Sequence, residues 1–372
     1  FDLTAPCPEG VQKAADAGTA VTGAEVVITM LPNGQILRAV ADDVIPAMAE
    51  GATLVDCSTV DVDSARAVAE PITENADIRN AYDAITYQKG MAVLGMVDAW
   101  FGPKQFRPAL GEYVARYADK AADSDDFFRT IGQTTGNPDI GRALKTFVKQ
   151  NGLPLLQTEL ECSDIGAKVV LEQSRYIPLG SSADPDRHWV IPVCVSWREG
   201  DKAGRSCTLM QSRRKVLPLE GAICPDMYHP NANGTGYYRF NLAGDGWGDL
   251  IAALPGLEAT EALTALDSAQ AAFAAGQLDA GILRQILAAG ARHPDSAVSS
   301  VVLDQYASLM KRLPNDAEGL QTDALSAADL LHARMEKGEA GGELEATLVD
   351  FEARVLKRDD ARALVGGEMD KW

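Results

Sequence analysis

The stretch from residue 153 to 242 constrains the fold most, because it consists of short strand-like runs. They read LLQTELEC, AKVVLEQSRYI, HWVIPVCVSWR, SCTLMQ and YYRFNL, and turn-rich segments such as GSSADPDR, REGDKAGR and NANGTG separate them. Short strands joined by polar turns are typical of two antiparallel sheets packed face to face. We therefore predict a β-sandwich domain over residues 151–244.

Helical periodicity flanks this domain on both sides. In YQKGMAVLGMVDAWFG the apolar residues fall on one helical stripe, which consists of Met91, Val93, Leu94, Val97 and Trp100. After Asp245 the sequence is rich in Ala and Leu, as in ATEALTALDSAQAAFAAG. We predict a helical domain over residues 69–150 and a truncated, solenoid-like α-helical domain over residues 245–372.

The first 68 residues alternate between strand and helix. AEVVITMLP and ATLVDCST are apolar strands, and GQILRAVADDVIPAMAEG between them is an amphipathic helix. Buried strands joined through helices are typical of parallel βαβ units. The sequence thus predicts a multidomain α and β protein that begins with a partial Rossmann-like α/β segment, residues 1–68.

Charge and hydropathy exclude two classes of partner. The net charge of −19 is unsuited to nucleic acid, whose phosphates need clustered Lys and Arg. No apolar run approaches the roughly 18–20 residues that a membrane span needs. The chain begins at Phe1, so we expect a fragment, and the sequence leaves cytoplasmic and periplasmic or exported locations both open.

The cysteines and histidines form no recognisable metal site. The six cysteines contain no C-x-x-C, and the four histidines contain no H-E-x-x-H. We therefore predict no metal ligands. Cys207 and Cys224 flank RRKVLPLE on strands expected to be adjacent, so a disulfide between them and two buried free thiols are both open.

The runs AEVVITMLPNGQILRAV and GATLVDCSTVDVDSAR resemble the nucleotide-binding domain of 3-hydroxyisobutyrate dehydrogenases. The resemblance implies that Leu31, Pro32 and Thr59 lie along NAD and that Asp2 accepts hydrogen bonds from the adenosine ribose. The glycine-rich turn that holds the pyrophosphate and the family's catalytic lysine are both missing. NAD is therefore a possible cofactor whose binding we do not expect.

From about residue 64 to the end, the chain resembles the M1 family of zinc aminopeptidases. The resemblance rests on EPITENADI, AYDAITYQKG, LEQSRYIPLG, WVIPVCV and NANGTGYYRFNL, which follow in that family's order. It implies a peptide substrate and a zinc cofactor. It also implies that Tyr87 of ITYQKG is catalytic and donates a hydrogen bond to the oxyanion of the tetrahedral intermediate. The H-E-x-x-H zinc helix that should precede Tyr87 is missing from this sequence.

The segment DSARAV fits both resemblances, so we predict that two unrelated segments join near residues 61–70. The leading hypothesis is the C-terminal portion of an M1 metallo-aminopeptidase, a hydrolase, inactive in this chain because its zinc site is missing. The first alternative is a fragment of an NAD-dependent 3-hydroxyisobutyrate or β-hydroxyacid dehydrogenase. The second is a non-catalytic module that binds peptides or partner proteins.

Overall fold

The computed structural model describes residues 14–29, 31, 34–49, 51–56, 88–312, 319–338, 342–359 and 361–362. The chain divides into two compact units, residues 1–87 and residues 88–372. Each unit is built around its own buried apolar cluster.

The described residues of the first unit form a βαβ crossover. Its elements are α1 (Ala17–Val21), β1 (Val26–Thr29), α2 (Gly34–Val44) and β2 (Thr53–Asp56). The two strands pair in parallel, as the sequence predicts, and Val27 lies beside Leu54 in the register. A single crossover of this kind occurs in many α/β folds, so it does not by itself identify a dinucleotide-binding sheet.

The core of this unit is small. Only Val21, Val27 and Val44 form its buried cluster among the described residues, whereas Val26 and Ile28 on the other face of β1 are 57% and 69% exposed. A parallel sheet normally has both faces covered, so one face of this strand pair lacks a cover in the part of the unit that the structure describes.

The second unit opens with four helices that end at clear sequence signals. They are α3 (Gly90–Phe101), α4 (Pro103–Arg116), α5 (Ser124–Thr134) and α6 (Pro138–Val148). Gly102 separates the first two with a φ of 81°, which a side chain would disfavour. Asp123 and Asp126 form a reciprocal capping box at the start of α5, and Asn137 caps α6. Local sequence therefore fixes these helix boundaries.

Two sheets follow the helices. The first contains β3 (Pro154–Ser163), β4 (Gly166–Arg175), β7 (Arg214–Leu219) and β9 (Arg239–Leu242) in the order β7-β4-β3-β9. The second contains β5 (Ile191–Glu199), β6 (Lys202–Met210) and β8 (Met227–His229) in the order β6-β5-β8. All pairs are antiparallel except β3 with β9, which is parallel.

Both sheets contribute side chains to one apolar core. Val169 and Leu171 of β4 belong to the same buried cluster as Val193, Val195 and Trp197 of β5. Two sheets thus occur in the region where the sequence predicts short strands. The pattern of apolar residues did not reveal β7 and β8, which are short and lie among polar turns.

The remaining described residues are helical. The helices are α7 (Gly246–Ala253), α8 (Ala259–Ala274), α9 (Ala280–Gly290), α10 (Ser296–Arg312), α11 (Leu320–Glu336) and α12 (Gly342–Phe351), followed by a π-helical turn (Glu352–Leu356). Alanines such as Ala265 and Ala269 are fully buried, and their small side chains let neighbouring helices approach closely. None of the described helices is long and apolar enough to cross a membrane.

Candidate functional site

Four of the five predicted site residues, Asp2, Pro32, Thr59 and Tyr87, lie outside the described residues. Leu31 is described and lies just beyond the end of β1, where it is half-buried. The roles assigned to all five residues, in catalysis or in NAD binding, therefore stay predictions.

The segment directly after Tyr87 is anchored at its start. Gln88 and Lys89 form a π-helical turn that leads into α3, and Lys89 Nζ donates to the carbonyl oxygen of Gln150 at 3.0 Å. This bond ties the start of α3 to the end of the α6 region.

The buried face of α3 differs by one position from the predicted stripe. Val93, Met96 and Val97 are the fully buried residues, whereas Met91 is 71% exposed. Met91, which the periodicity places on the apolar stripe, therefore lies outside the core. Met91 lies in the first turn of α3. Met96 is buried instead, and its sulfur accepts the backbone N–H of Tyr237 at 3.4 Å.

A tight loop faces α3 at this contact. The side chain of Asn231 binds both backbone groups of Gly236, accepting from its N–H at 2.7 Å and donating to its carbonyl at 3.0 Å. A Cβ at Gly236 would lie 2.2 Å from the ring of Tyr238, and one at Gly234 would lie 2.4 Å from the carbonyl oxygen of Thr260. Both glycines are therefore required by close packing.

The cavity between this loop and α3 is too small for a substrate. Its volume is about 10 Å³, and its lining includes Met96, Trp100, Arg205 and Asn231. A cavity of that size holds one water molecule at most. A larger groove of about 350 Å³ lies between α10 and α12, lined by Leu303, Phe351 and other residues, but no cluster of metal-binding side chains accompanies it among the described residues.

A buried polar cluster joins the second sheet to α8. Glu261 is 6% exposed, and its carboxylate accepts the hydroxyl of Ser196 at 2.8 Å and the backbone N–H of Asn233 at 2.9 Å. His229 is fully buried; its Nε2 lies 3.0 Å from the carbonyl oxygen of Glu261, and its Nδ1 accepts the N–H of Asn231. The pattern of apolar runs gave no sign of this cluster.

Serine, histidine and glutamate together can form a hydrolytic triad, but this geometry does not. The hydroxyl of Ser196 donates to Glu261 rather than to the imidazole, so the imidazole is not placed to take its proton. Burial lowers the pKa of His229, and the charge of Glu261 opposes that shift only in part. A neutral imidazole whose two nitrogens are both engaged, and which no substrate can reach, is a structural group.

The described residues do not fit a zinc site. No three His, Cys, Asp or Glu side chains come together among the residues that the structure describes. Both ring nitrogens of His229 and of His293 are engaged by backbone groups, and His332 pairs with the single carboxylate of Glu352. Structural and catalytic zinc sites need three or four such ligands. The zinc that the M1 resemblance implies therefore has no donor set in this part of the chain.

The cysteine pairing differs from the prediction. Cys194 bonds to Cys207 and Cys162 bonds to Cys224, so both the predicted Cys207–Cys224 disulfide and its free-thiol alternative are wrong. The segment between Cys207 and Cys224 forms β7, which pairs with β4 of the other sheet. Ala167 of β4 lies opposite Cys162 and also binds the chain just after β7, and this brings Cys224 to Cys162.

Comparison with known proteins relates part of the chain to peptidases. The model of the Peptidase family M1 domain matches residues 35–150. Aminopeptidase A of Gloydius brevicauda is 27% identical over 190 residues, which cover 48% of this chain and 19% of that protein. Aminopeptidase M1-A of Oryza sativa subsp. japonica is 26% identical over 255 residues, which cover 66% of this chain and 28% of that protein.

Glutamyl aminopeptidase of Bitis rhinoceros is 27% identical over 195 residues, which cover 48% of this chain and 19% of that protein. The chain spans about a fifth of the length of this relative and of the first one. It is thus related to hydrolases of the M1 peptidase family over part of its length. The match across residues 35–150 spans the junction predicted near residues 61–70, and these matches give no support to a dehydrogenase segment or to a chimera.

Proposed function

We propose that this chain is the C-terminal portion of an M1-type zinc metallo-aminopeptidase, which would release N-terminal residues from peptides. The family match at residues 35–150 carries the proposal. Because the chain spans only a small part of the relatives' length, the activity and the peptide substrate of the whole enzyme belong to the proposal.

The fold supports this assignment at the end of the matched range. The match stops at residue 150, and the structure changes there from helix to sheet: α6 ends at Val148 and β3 begins at Pro154. Helices before this point, a pair of sheets after it and further helices from Gly246 onward have the order that the M1 resemblance implies. These observations support domain boundaries near residues 150 and 244.

We expect the chain alone to be inactive. The described residues offer no donor set for zinc, and the sequence contains no H-E-x-x-H. The test is hydrolysis of amino-acyl chromogenic substrates by the purified chain in the presence of added zinc. No turnover above background is expected. Turnover that a chelator abolishes would show that the chain carries a zinc site of its own and would overturn the proposed inactivity.

We further propose that Tyr87 is the residue of this chain that takes part in catalysis. In a protein rebuilt with an M1 catalytic segment before residue 66, its phenol would donate a hydrogen bond to the oxyanion of the scissile carbonyl. Tyr87→Phe should lower kcat about a hundredfold or more, the scale for removing one oxyanion donor, with much less effect on KM. Replacement of the half-buried Tyr113 by Phe should change neither constant.

If the rebuilt Tyr87→Phe enzyme kept full kcat, the role of Tyr87 would be wrong even though the family assignment stood. If the rebuilt parent protein showed no activity while folding normally, the family assignment of the chain would itself lose its support.

A second candidate, an NAD-binding dehydrogenase segment, is favoured by one observation. The strands β1 and β2 are parallel and joined through α2, and Leu31 lies beyond the carboxyl end of β1, where open α/β sheets bind ligands. Titration with NADH followed by its fluorescence tests this candidate. A saturable signal lost in a chain beginning at residue 69 would favour it, and the absence of such a signal would count against it.

A further inference from the structure

The two disulfides have opposite charges beside them. Arg205 Nη2 lies 3.1 Å from Sγ of Cys194, within the Cys194–Cys207 bond. The other bond, Cys162–Cys224, has a carboxylate at one end, because Glu199 Oε1 accepts the backbone N–H of Cys224 at 2.6 Å. The departing sulfur of a broken disulfide is a thiolate, which a cation stabilises and an anion does not.

The two ends of the Cys194–Cys207 bond also differ in access. Cys194 is 7% exposed and faces the small cavity beside α3, whereas Cys207 lies on the exposed face of β6. An incoming thiolate must reach the sulfur that it attacks, so Cys207 is the accessible end. The direction of attack then makes Cys194 the leaving group, and Arg205 lies beside that sulfur.

Arg205 is itself held in position. The same Nη2 donates to the carbonyl oxygen of Ala99, in the last turn of α3, at 3.3 Å. The guanidinium thus bridges the disulfide and the helix that follows the Tyr87 motif. Because its place is fixed before reaction, no rearrangement is needed to meet the charge that develops on Cys194.

We propose that the Cys194–Cys207 disulfide is a thiol–disulfide exchange site, in which an external thiolate attacks Sγ of Cys207 and expels Cys194. A new S–S bond forms between the attacking sulfur and Cys207, and Cys194 leaves as a thiolate that later takes a proton from water. With a dithiol reductant, its second thiolate displaces Cys207. Two electrons then pass to the protein, and the reductant becomes a disulfide. With a monothiol the first product is the mixed disulfide, and a second molecule of the monothiol can then displace Cys207 and form a disulfide with the first.

Access alone does not favour this bond, since Cys162 and Cys224 are both exposed. The charge beside the leaving sulfur is what distinguishes the two bonds. We therefore expect the Cys194–Cys207 bond to open about tenfold faster than the Cys162–Cys224 bond, because a thiol that ionises more readily leaves faster.

The experiment exposes the full chain to reduced glutathione, traps free thiols by alkylation at successive times and maps the peptides by mass spectrometry. The expected early product carries glutathione on Cys207 and the alkylating group on Cys194. Glutathione on Cys194 instead, or earlier opening of the Cys162–Cys224 bond, would overturn the proposal. This comparison uses the unaltered protein and so does not depend on the folding of a variant.

Three variants test the charge. Arg205→Gln removes the cation and should slow opening of the Cys194–Cys207 bond about tenfold, whereas Arg205→Lys keeps the charge and should restore most of the rate. Glu199→Gln, beside the other disulfide, should leave the rate at Cys194–Cys207 unchanged. A rate in Arg205→Gln equal to that of the parent, or equal slowing in Arg205→Lys, would show that the charge of Arg205 has no part in the reaction.

Discussion

The buried histidine between the second sheet and α8 makes stability depend on pH in a defined direction. Burial lowers the pKa of His229 in the folded protein below its ordinary value of about 6.5. In the unfolded chain the imidazole regains that ordinary value. Below about pH 6.5 the unfolded chain therefore binds a proton that the folded protein does not, and the free energy of unfolding falls as the pH falls.

The size of this change in the free energy of unfolding follows from the binding of one proton to the unfolded chain. Between about pH 7.5 and about pH 5.5, protonation of one unfolded-state histidine lowers the free energy of unfolding by up to about 1.4 kcal/mol. Carboxylates contribute little to the slope in this range, because in the unfolded chain they titrate about one to two pH units lower. The part of the free energy of unfolding that depends on His229 is thus fully present above about pH 7.5 and is lost as the pH falls.

The assay is urea unfolding followed by tryptophan fluorescence at a series of pH values, with the parent protein compared with His229→Gln. The glutamine can still donate to the carbonyl oxygen of Glu261, so the variant should fold. Its free energy of unfolding should vary less with pH, by up to about 1.4 kcal/mol over the window. His188→Gln is the matched control, since His188 is exposed and its removal should leave the slope as in the parent. Equal slopes for the parent and His229→Gln would refute the reasoning.

Two further predictions concern local packing and capping. A Cβ at Gly204 would lie 2.3 Å from the buried ring of Trp197, so Gly204→Ala should lower the free energy of unfolding by about 1–3 kcal/mol. Gly248 is exposed inside α7 with open space around it, so Gly248→Ala should raise the free energy of unfolding by about 0.5–1 kcal/mol. Asp123→Ala removes the capping box with Asp126 and should lower it by about 1 kcal/mol. Urea titrations measure all three, and a Gly204→Ala protein as stable as the parent would show that the ring of Trp197 can move aside.

The helices and most strands could be predicted because their signals are local. The capping box at Asp123, the glycine at 102 and the alternating runs of β3 to β6 each lie within about ten residues of sequence. Signals of that length specify an element and its ends. They do not specify which element lies beside which.

The disulfide pairing and the buried cluster could not be predicted for that reason. Ser196 and Glu261 are 65 residues apart, and only the placement of α8 against the second sheet brings them together. The correct partner of Cys224 likewise depends on β7 joining the first sheet. A histidine at the end of a short strand, next to the turn NANGTG, was the one local sign of the cluster, and it equally fits an ordinary core residue.

The parallel pairing of β3 with β9 has a consequence for synthesis on the ribosome. These strands are the first and last of the sheet region, and their side chains bond across 84 residues, from Asn241 to Gln157. The edge of β3 that pairs with β9 thus stays unpaired until residue 242 has emerged from the ribosome, whereas the hairpin of β3 with β4 can form early. A nascent chain paused before that point exposes an unpaired strand edge, on which another chain can pair.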